Sequence, residues 1–368
     1  MTIAKGAILT DFNQPLVIEE LEWDEPRPDE IAVRVLASGV CHTDYHAVTG
    51  EYEMALPSLL GHEGAGIVEK VGENCKRVKV GDHVVLSWMP SCGHCPSCVS
   101  GYRQLCDRGA NLISGQMEAG VQKIHKKNGE GVDQFSFLGC FSEYITVLED
   151  GAVVVDKNLD LHKICIVGCR IPTGWGAAVN AAKVAPGSTA LVVGLGGVGF
   201  NVIQGLKTAG ATVIIGADMK DKRKWATEWG VTHYIDAAKQ DIKEEVMKIT
   251  GVGVDYAFDA IGDPKAEEAC VESLCKAGTA VFAGVPPASQ KSLSCNPQNF
   301  IYSQKTIMGT LYGHSNPADS VPQLLKMYQA GILKMGELIT KEYKLEQINE
   351  AFEDMLAGKN ICGAIRME

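Results

Sequence analysis

No stretch of the 368-residue chain comes near the roughly 20 consecutive apolar residues of a membrane-spanning helix. The opening segment, MTIAKGAILTDFNQP, has neither the apolar core nor the small-residue cleavage site of a secretory leader. These two absences lead to the expectation of a cytoplasmic protein with no membrane attachment. Positive charge is also short. The 34 Lys and Arg face 45 Asp and Glu, for a formal net charge of −11. A surface of that sign repels phosphate backbones and anionic lipid, so neither nucleic acid nor membrane is an expected partner. Internal repeats and low-complexity tracts are missing as well. What remains is ordinary globular sequence, 46% hydrophobic and 21% charged, long enough for two domains.

Cysteine is plentiful, with 13 in the chain, an odd number. A reducing compartment disfavours structural disulfides. In SCGHCPSCVSGYRQLCDR, residues 91–108, Cys92, Cys95, Cys98 and Cys106 follow C-x2-C-x2-C-x7-C spacing. One CxxC pair would serve redox chemistry, but four such cysteines exceed that need. Two-residue gaps let a tight turn aim successive sulfurs at one point, and a longer loop supplies the fourth. Four thiolates complete a tetrahedral zinc ion and leave no position for substrate, so the expected role is a structural cage. His94, between two cysteines, reaches that point poorly and is read as a solvated loop residue.

Up to about residue 155 the chain reads as strands: IAVRVLASGV, GAGIVEKVG, DHVVLS and SEYITVL carry alternation and β-branched residues. The cysteine lobe and its tail, to about Leu138, form a long excursion bearing NGEG and HKK. From about Pro172 apolar runs alternate with helical spacing: TALVVGLGGVG, NVIQGLKTAG, ATVIIGAD, VDYAFDAIG, then EEACVESLCKAG as a helix and TAVFAGVPP. That alternation implies βαβ units and a parallel sheet. The expected class is α/β: a β-rich domain plus a doubly wound parallel Rossmann sheet.

The glycines of Gly194-Leu-Gly196-Gly197-Val198-Gly199 lie between a buried strand and a helix, the context in which GxGxxG binds a dinucleotide. The pyrophosphate then sits at the positive end of the helix. Asp218 ends VIIGAD, 19 residues after Gly199, where a carboxylate accepts the ribose hydroxyls and repels a 2′-phosphate. NAD is therefore expected over NADP. Lys222 and Arg223 temper this, since either cation reaches toward a phosphate unless both are solvated on the first helical turn.

Three further stretches carry metal-ligand chemistry: Cys41-His42-Thr43-Asp44-Tyr45-His46, Gly61-His62-Glu63-Gly64 and Gly168-Cys169-Arg170. One cysteine, one histidine and a second cysteine make an open zinc site with a position left for substrate. Spacing alone does not bring them together, since a buried cysteine is usually a small hydrophobe and a lone histidine a satisfied core residue.

Taken in order, GHEGAGIVEKVGENCKRVKVGDHV, the four-cysteine lobe, GLGGVG and Arg366 near the end of the chain resemble the zinc-dependent medium-chain alcohol dehydrogenases. The resemblance covers nearly the whole chain. It implies a GroES-like catalytic domain over residues 1–170, a Rossmann domain over 171–311 and a return to the catalytic domain over 312–368. It implies two zinc ions per chain, the catalytic one on Cys41, His62 and Cys169. Glu63 matches a carboxylate beside that metal, Asp44 a group orienting the ligand histidine, and Thr43 with His46 a proton relay to solvent. His42 and Arg366 match pyrophosphate contacts; Thr173 and Val198 match residues against the nicotinamide. Trp88, Phe137, Leu138, Leu311 and Tyr312 match pocket positions, with Tyr52 a further wall candidate. Aromatic walls favour apolar, aromatic or cyclic substrates, although core packing accounts for aromatics equally well.

The implied reaction interconverts an alcohol and an aldehyde or ketone, with hydride moving to or from NAD, in a homodimer or homotetramer paired through FIYSQKTIMGTLY. Arg170 departs from the family pattern of glycine after the ligand cysteine. It is read as lying along the domain hinge with its charge in water, or else contacting a phosphate or an acidic substrate. Rival readings are a metal-free medium-chain reductase of activated double bonds, which would lack the Cys41, His62, Cys169 set, and a zinc-ribbon module binding nucleic acid, which the net charge opposes. A retired enzyme kept as a structural protein is opposed by the intact ligand and relay residues.

Overall fold

A computed structural model describes residues 1–52, 54–111, 122–287, 289–290 and 292–367. The chain divides into two compact units, Met1–Cys169 with Asn316–Glu368, and Arg170–Ser315. Arg170 and residues 312–315 therefore belong to the second unit.

Among the described residues, the first unit holds a closed barrel of five strands and a seven-stranded sheet. At the centre of the sheet is Glu30–Val40, buried along most of its length. It pairs antiparallel with Glu63–Val71, placing Ser38 opposite Gly64. The end of one strand thus lies beside the start of the other, which carries Cys41 and His62 to the same end of the sheet. The strand His83–Ser87 pairs on the far side of Glu63–Val71, with Ser87 opposite Glu63. A Cβ on Gly168 would lie 2.0 Å from Leu86 O, so the backbone just before Cys169 presses directly on that strand. Sheet register and one tight glycine contact thereby gather three segments distant in sequence.

The tail of the cysteine lobe corrects an expectation. NGEG is a hairpin turn, where Lys126 N–H donates to Glu130 O at 2.8 Å and Ile124–Lys126 pairs antiparallel with Gly131–Gln134. These strands of three and four residues complete the barrel, and they are too short to show alternation in the sequence. The part of the excursion from 112 to 121 lies outside the described residues.

Six parallel strands form the sheet of the second unit among its described residues: His233–Asp236, Val213–Asp218, Thr189–Val193, Val254–Asp259, Leu274–Phe282 and Thr306–Gly309, in spatial order. Numbered along the chain, that is the doubly wound order 3-2-1-4-5-6, whose switch point falls between Thr189–Val193 and Val254–Asp259. The helix expected over EEACVESLCKAG stops at Glu272. Asp263 caps its start by accepting from Lys265 N, and the rest of the segment is the strand Leu274–Phe282. Parallel pairing with Val254–Asp259 overrides the helical spacing there. FIYSQKTIMGTLY splits into the end of the helix Pro297–Tyr302 and the outermost strand Thr306–Gly309. Among the described residues, no helix is long and apolar enough to cross a membrane.

Asp259 ends the fourth strand at the switch point, fully buried, and accepts from Ile261 N and Gly262 N at 3.0 Å each. Burial pushes its carboxyl up to about 6, against the lowering pull of those two N–H groups. The folded value lies above the unfolded one, so its contribution to stability is complete below about pH 4 and is lost as pH rises through about 6. Relative to Asp259→Asn, the wild-type protein should gain on the order of 3 kcal/mol as pH falls across that window, read from paired urea unfolding curves. A difference that does not change with pH would contradict a buried, proton-linked carboxyl.

Candidate active site and metal centres

In the cysteine lobe the sulfurs of Cys92, Cys95, Cys98 and Cys106 lie within 4.8 Å of one another. Cys92 and Cys98 are 4.0 Å apart, Cys95 and Cys106 3.9 Å. Backbone geometry builds the cluster: Cys95 N–H donates to Cys92 Sγ and Cys92 N–H to Cys106 Sγ, each at 3.3 Å. The N–H groups of His94 and Cys95 hold the Cys92 thiol down to about 6, whereas burial pushes Cys98 up to about 12. His94 turns its Nδ1 to Cys92 O at 2.9 Å and stays exposed, outside the cluster.

The second cluster joins His62, Glu63 and Cys169, whose ligand atoms all lie within 4.8 Å of one another. His62 is 2% exposed and Asp44 0%. Asp44 Oδ1 accepts from His62 Nδ1 at 3.0 Å and from Gly61 N at 3.1 Å, which fixes the ring. The other ring nitrogen, Nε2, is buried without a hydrogen-bond partner and faces the Cys169 thiol and the Glu63 carboxylate. Burial disfavours a charged imidazole here, but Asp44 and then Cys169 outweigh it and raise His62 well above the ordinary histidine range. Burial pushes the Cys169 thiol up, opposed by His62. Cys41 falls outside this tight cluster. Its thiol donates to Thr43 Oγ1 at 3.8 Å, yet it is close enough for its charge to raise Cys169. Thr43 and His46 follow on the short helix His42–Val48, with His42 exposed at its first position.

At the switch point of the second unit, Gly194 has φ +94°, and a Cβ there would meet Ile261 at 2.4 Å. A Cβ on Gly199 would sit 1.8 Å from Gly194 O, whereas around Gly196 nothing lies within 4 Å. The turn is thus closed by its first and last glycines and open at the middle one. The helix Gly197–Ala209 starts there, with Val198 half-buried in its first turn. A Cβ on Gly174 would strike Val198 O at 2.2 Å, so this helix packs hard on Arg170–Gly176, which carries Thr173. Asp218 Oδ2 accepts from Leu195 N and Oδ1 from Lys220 N, both at 2.7 Å, holding the carboxylate beside the glycine turn.

Two cations are not solvated as expected. Lys222 is 5% exposed, its ammonium 4.6 Å from the Trp225 ring centroid. Arg170 is 3% exposed, so its charge is not in water. The Arg223 guanidinium covers Tyr234 at 5.2 Å. Arg366 ends the strand Cys362–Arg366 and pairs with Glu342 at 3.4 Å.

Of the pocket residues, Tyr52, Trp88, Phe137 and Leu138 lie in the first unit, Leu311 and Tyr312 in the second. Tyr52 stacks on Phe135 at 6.0 Å, and Phe135 stands edge-on to the His62 ring at 6.3 Å. Phe135 escaped the sequence reading. The turn after it places Ser136 and Phe137 at φ 54° and 61°, left-handed backbone that no sequence period signals. Tyr312 is also left-handed, at φ 51°, and buried, while Leu311 is exposed.

Residues 27–157 match the alcohol dehydrogenase GroES-like domain family and residues 197–330 the zinc-binding dehydrogenase family. The chain is 40% identical to alcohol dehydrogenase B of Mycobacterium tuberculosis, over 98% of each chain. It belongs to the zinc-dependent medium-chain alcohol dehydrogenases. The NDMA-dependent alcohol dehydrogenase of Amycolatopsis methanolica is 38% identical over the same shares. The crystal structure of benzyl alcohol dehydrogenase from Acinetobacter calcoaceticus superposes with a TM-score of 0.94 at 30% identity, covering 100% of both chains. As an alcohol dehydrogenase the protein is an oxidoreductase of small-molecule substrates.

Zinc fits both clusters of this dehydrogenase. Zn–S bonds of about 2.3 Å in a tetrahedron put sulfurs roughly 3.8 Å apart, near the spacings in the lobe and far from the roughly 2 Å of a disulfide. At the second cluster, the bare, buried Nε2 of His62 beside a thiol and a carboxylate is a metal-ligand arrangement lacking only its ion's charge. Elemental analysis of the dehydrogenase should therefore find one zinc per cluster. Cys98→Ser should lose one zinc together with thermal stability, and Cys169→Ser should lose activity while unfolding near the wild-type temperature. Equal thermal losses in both variants would contradict this division.

Proposed function

We propose that the protein oxidises aromatic or other apolar alcohols with NAD and reduces the matching carbonyl compounds. Cys41, His62 and Cys169 would hold the catalytic zinc, with Glu63 beside it, and Cys92, Cys95, Cys98 and Cys106 would hold the structural one. The observation that carries this reading is the buried His62 ring, pinned through Nδ1 by Asp44 and bare at Nε2. A zinc ion there would supply Lewis acidity, lowering the pKa of a bound hydroxyl.

The chain's own groups do the rest. Asp44 keeps the His62 lone pair aimed at the cluster. Thr43 receives the substrate hydroxyl proton and His46 passes it to solvent. The Tyr52–Phe135 stack gives an apolar wall that excludes water and takes a flat ring, together with Trp88, Phe137 and Leu138. The Gly194–Gly199 turn and the following helix start take the pyrophosphate. Thr173 and Val198 support the nicotinamide.

NAD is favoured over NADP because Asp218 is fixed at the end of its strand, while Lys222 and Arg223 are drawn onto Trp225 and Tyr234. The outermost strand Thr306–Gly309, with exposed Ile301 and Tyr302 before it, supports a homodimer or homotetramer. That none of the 13 cysteines is joined in a disulfide suits a cytoplasmic setting.

An alcohol panel followed by NADH absorbance tests the reading. Benzyl alcohol should exceed ethanol in kcat/KM, and Phe135→Ala should cost roughly tenfold on benzyl alcohol but not on ethanol. Equal losses on both would refute the aromatic wall. Asp218→Ala should narrow the NAD preference by about tenfold or more. Unchanged discrimination would remove Asp218 from the ribose site.

A further inference from the structure

The loops that follow the fourth and fifth strands of the second unit lock together around one carboxylate. Asp259, fully buried, ends Val254–Asp259; its Oδ1 accepts from Ile261 N and its Oδ2 from Gly262 N, each at 3.0 Å. Its backbone carbonyl accepts from Ala283 N at 3.0 Å and Gly284 N at 3.1 Å, which ties in the chain after Leu274–Phe282. A Cβ on Gly284 would lie 2.0 Å from Gly262 N and 2.6 Å from Asp259 Oδ2, so no side chain fits between the two loops. What the loops present to water is apolar: Ile261 is 46% exposed and Val285 49%.

This loop pair stands at the carboxyl ends of the strands beside the switch point, where an open α/β sheet takes its ligand. Ile261 meets the glycine turn there. A Cβ on Gly194 would lie 2.4 Å from Ile261 Cγ1, so the turn and the tip of the Asp259 loop share a boundary. An ionised carboxylate holds N–H groups roughly twice as strongly as a neutral acceptor does, so Asp259 grips its loop most firmly as an anion. Across the sheet its neighbours are Val193 and Phe282, both apolar. Charge reaches it from the helix Pro264–Glu272, through Asp263 at the cap and Glu267 in the first turn, and the buried Cys270 thiol of that helix feels both Asp259 and Glu267. Burial and these like charges oppose the anion, and the two N–H groups favour it.

We propose that Asp259 is a positioning residue for the dinucleotide: its ionised carboxylate holds Ile261 and Gly262 against the glycine turn, and NAD binds more weakly once that carboxylate takes up a proton. Linkage makes the effect reciprocal, so NAD binding weakens the hold of Asp259 on a proton and expels it to solvent. The same proton that stabilises the fold thus loosens the cofactor site. This inference rests on the placement of NAD at the Gly194–Gly199 turn proposed above.

Isothermal titration of the zinc-loaded protein with NAD, run in two buffers of different ionisation enthalpy, gives Kd and the number of protons released together. The carboxyl of the free protein titrates at about 6. A roughly tenfold weaker hold on the proton in the NAD complex raises Kd about threefold between about pH 7.5 and 5.5, and releases about half a proton per NAD at the lower pH. Asp259→Asn, the neutral isostere, should bind NAD about tenfold more weakly at about pH 7.5 and release about half a proton less at about pH 5.5. Asp259→Ser, smaller and equally unable to titrate, takes its place where the amide does not fold. A merely structural residue would shift Kd by one factor at both pH values and leave the proton count alone. Wild-type protein that binds no NAD would overturn the dinucleotide site, and this inference with it. Wild-type protein that binds NAD, beside a non-titrating variant with the same proton count, would overturn the role of Asp259 alone.

Discussion

The site is built around a buried imidazole with one satisfied nitrogen and one bare one. Leaving a buried polar atom unpaired costs about 1–3 kcal/mol, so a fold keeps such an atom only where something else engages it. His62 Nδ1 is committed to Asp44, which is locked in turn by Gly61 N–H, and Nε2 opens onto Cys169 and Glu63. With no cation at hand, Asp44 and Cys169 draw a proton onto the ring, which is why His62 is raised despite complete burial. A metal ion satisfies the same lone pair, carries the same sign of charge and displaces that proton. The arrangement exists because Glu30–Val40, Glu63–Val71 and His83–Ser87 pair in one register and Gly168 lies hard against Leu86.

The two clusters divide the labour by their construction. The lobe draws all four ligands from residues 92–106, shaped by backbone N–H groups donating to sulfur, and closes on itself. The second cluster draws His62 and Glu63 from the start of one strand and Cys169 from the end of a short helical turn more than 100 residues on, while Cys41 stands at the start of its own helix. Ligands from one loop make a staple; ligands from segments far apart in sequence make an opening toward which other elements can aim.

That difference also sets what could be read from the sequence. The cysteine lobe and the Gly194–Gly199 turn are local patterns whose chemistry follows from spacing, and the steric closure at Gly194 and Gly199 with openness at Gly196 is what such a turn needs. The alternating second half gave its sheet away for the same reason. The meeting of His62 with Cys169 is a matter of register, which spacing does not encode, and only the family resemblance pointed to it. Phe135 and the hairpin around NGEG were hidden, one before a left-handed turn and the other in strands too short to show a period. Arg170 is read from the sequence as solvated, and Lys222 as solvated or reaching toward a phosphate, because long cations usually lie in water. Trp225 gives Lys222 an apolar face with a negative quadrupole, and that partner is visible only once the helix Arg223–Trp229 is folded. Strand pairing cut short the helix over EEACVESLCKAG, a tertiary effect that outweighs local spacing.

The central claim is that His62 Nε2 exists to bind a metal. Anomalous diffraction at the zinc edge, from crystals of zinc-loaded and active protein, addresses it directly. The account predicts a scatterer about 2.0–2.1 Å from His62 Nε2, with the sulfurs of Cys169 and Cys41 at about 2.3 Å. An active crystal in which His62 Nε2 touches no metal would contradict it.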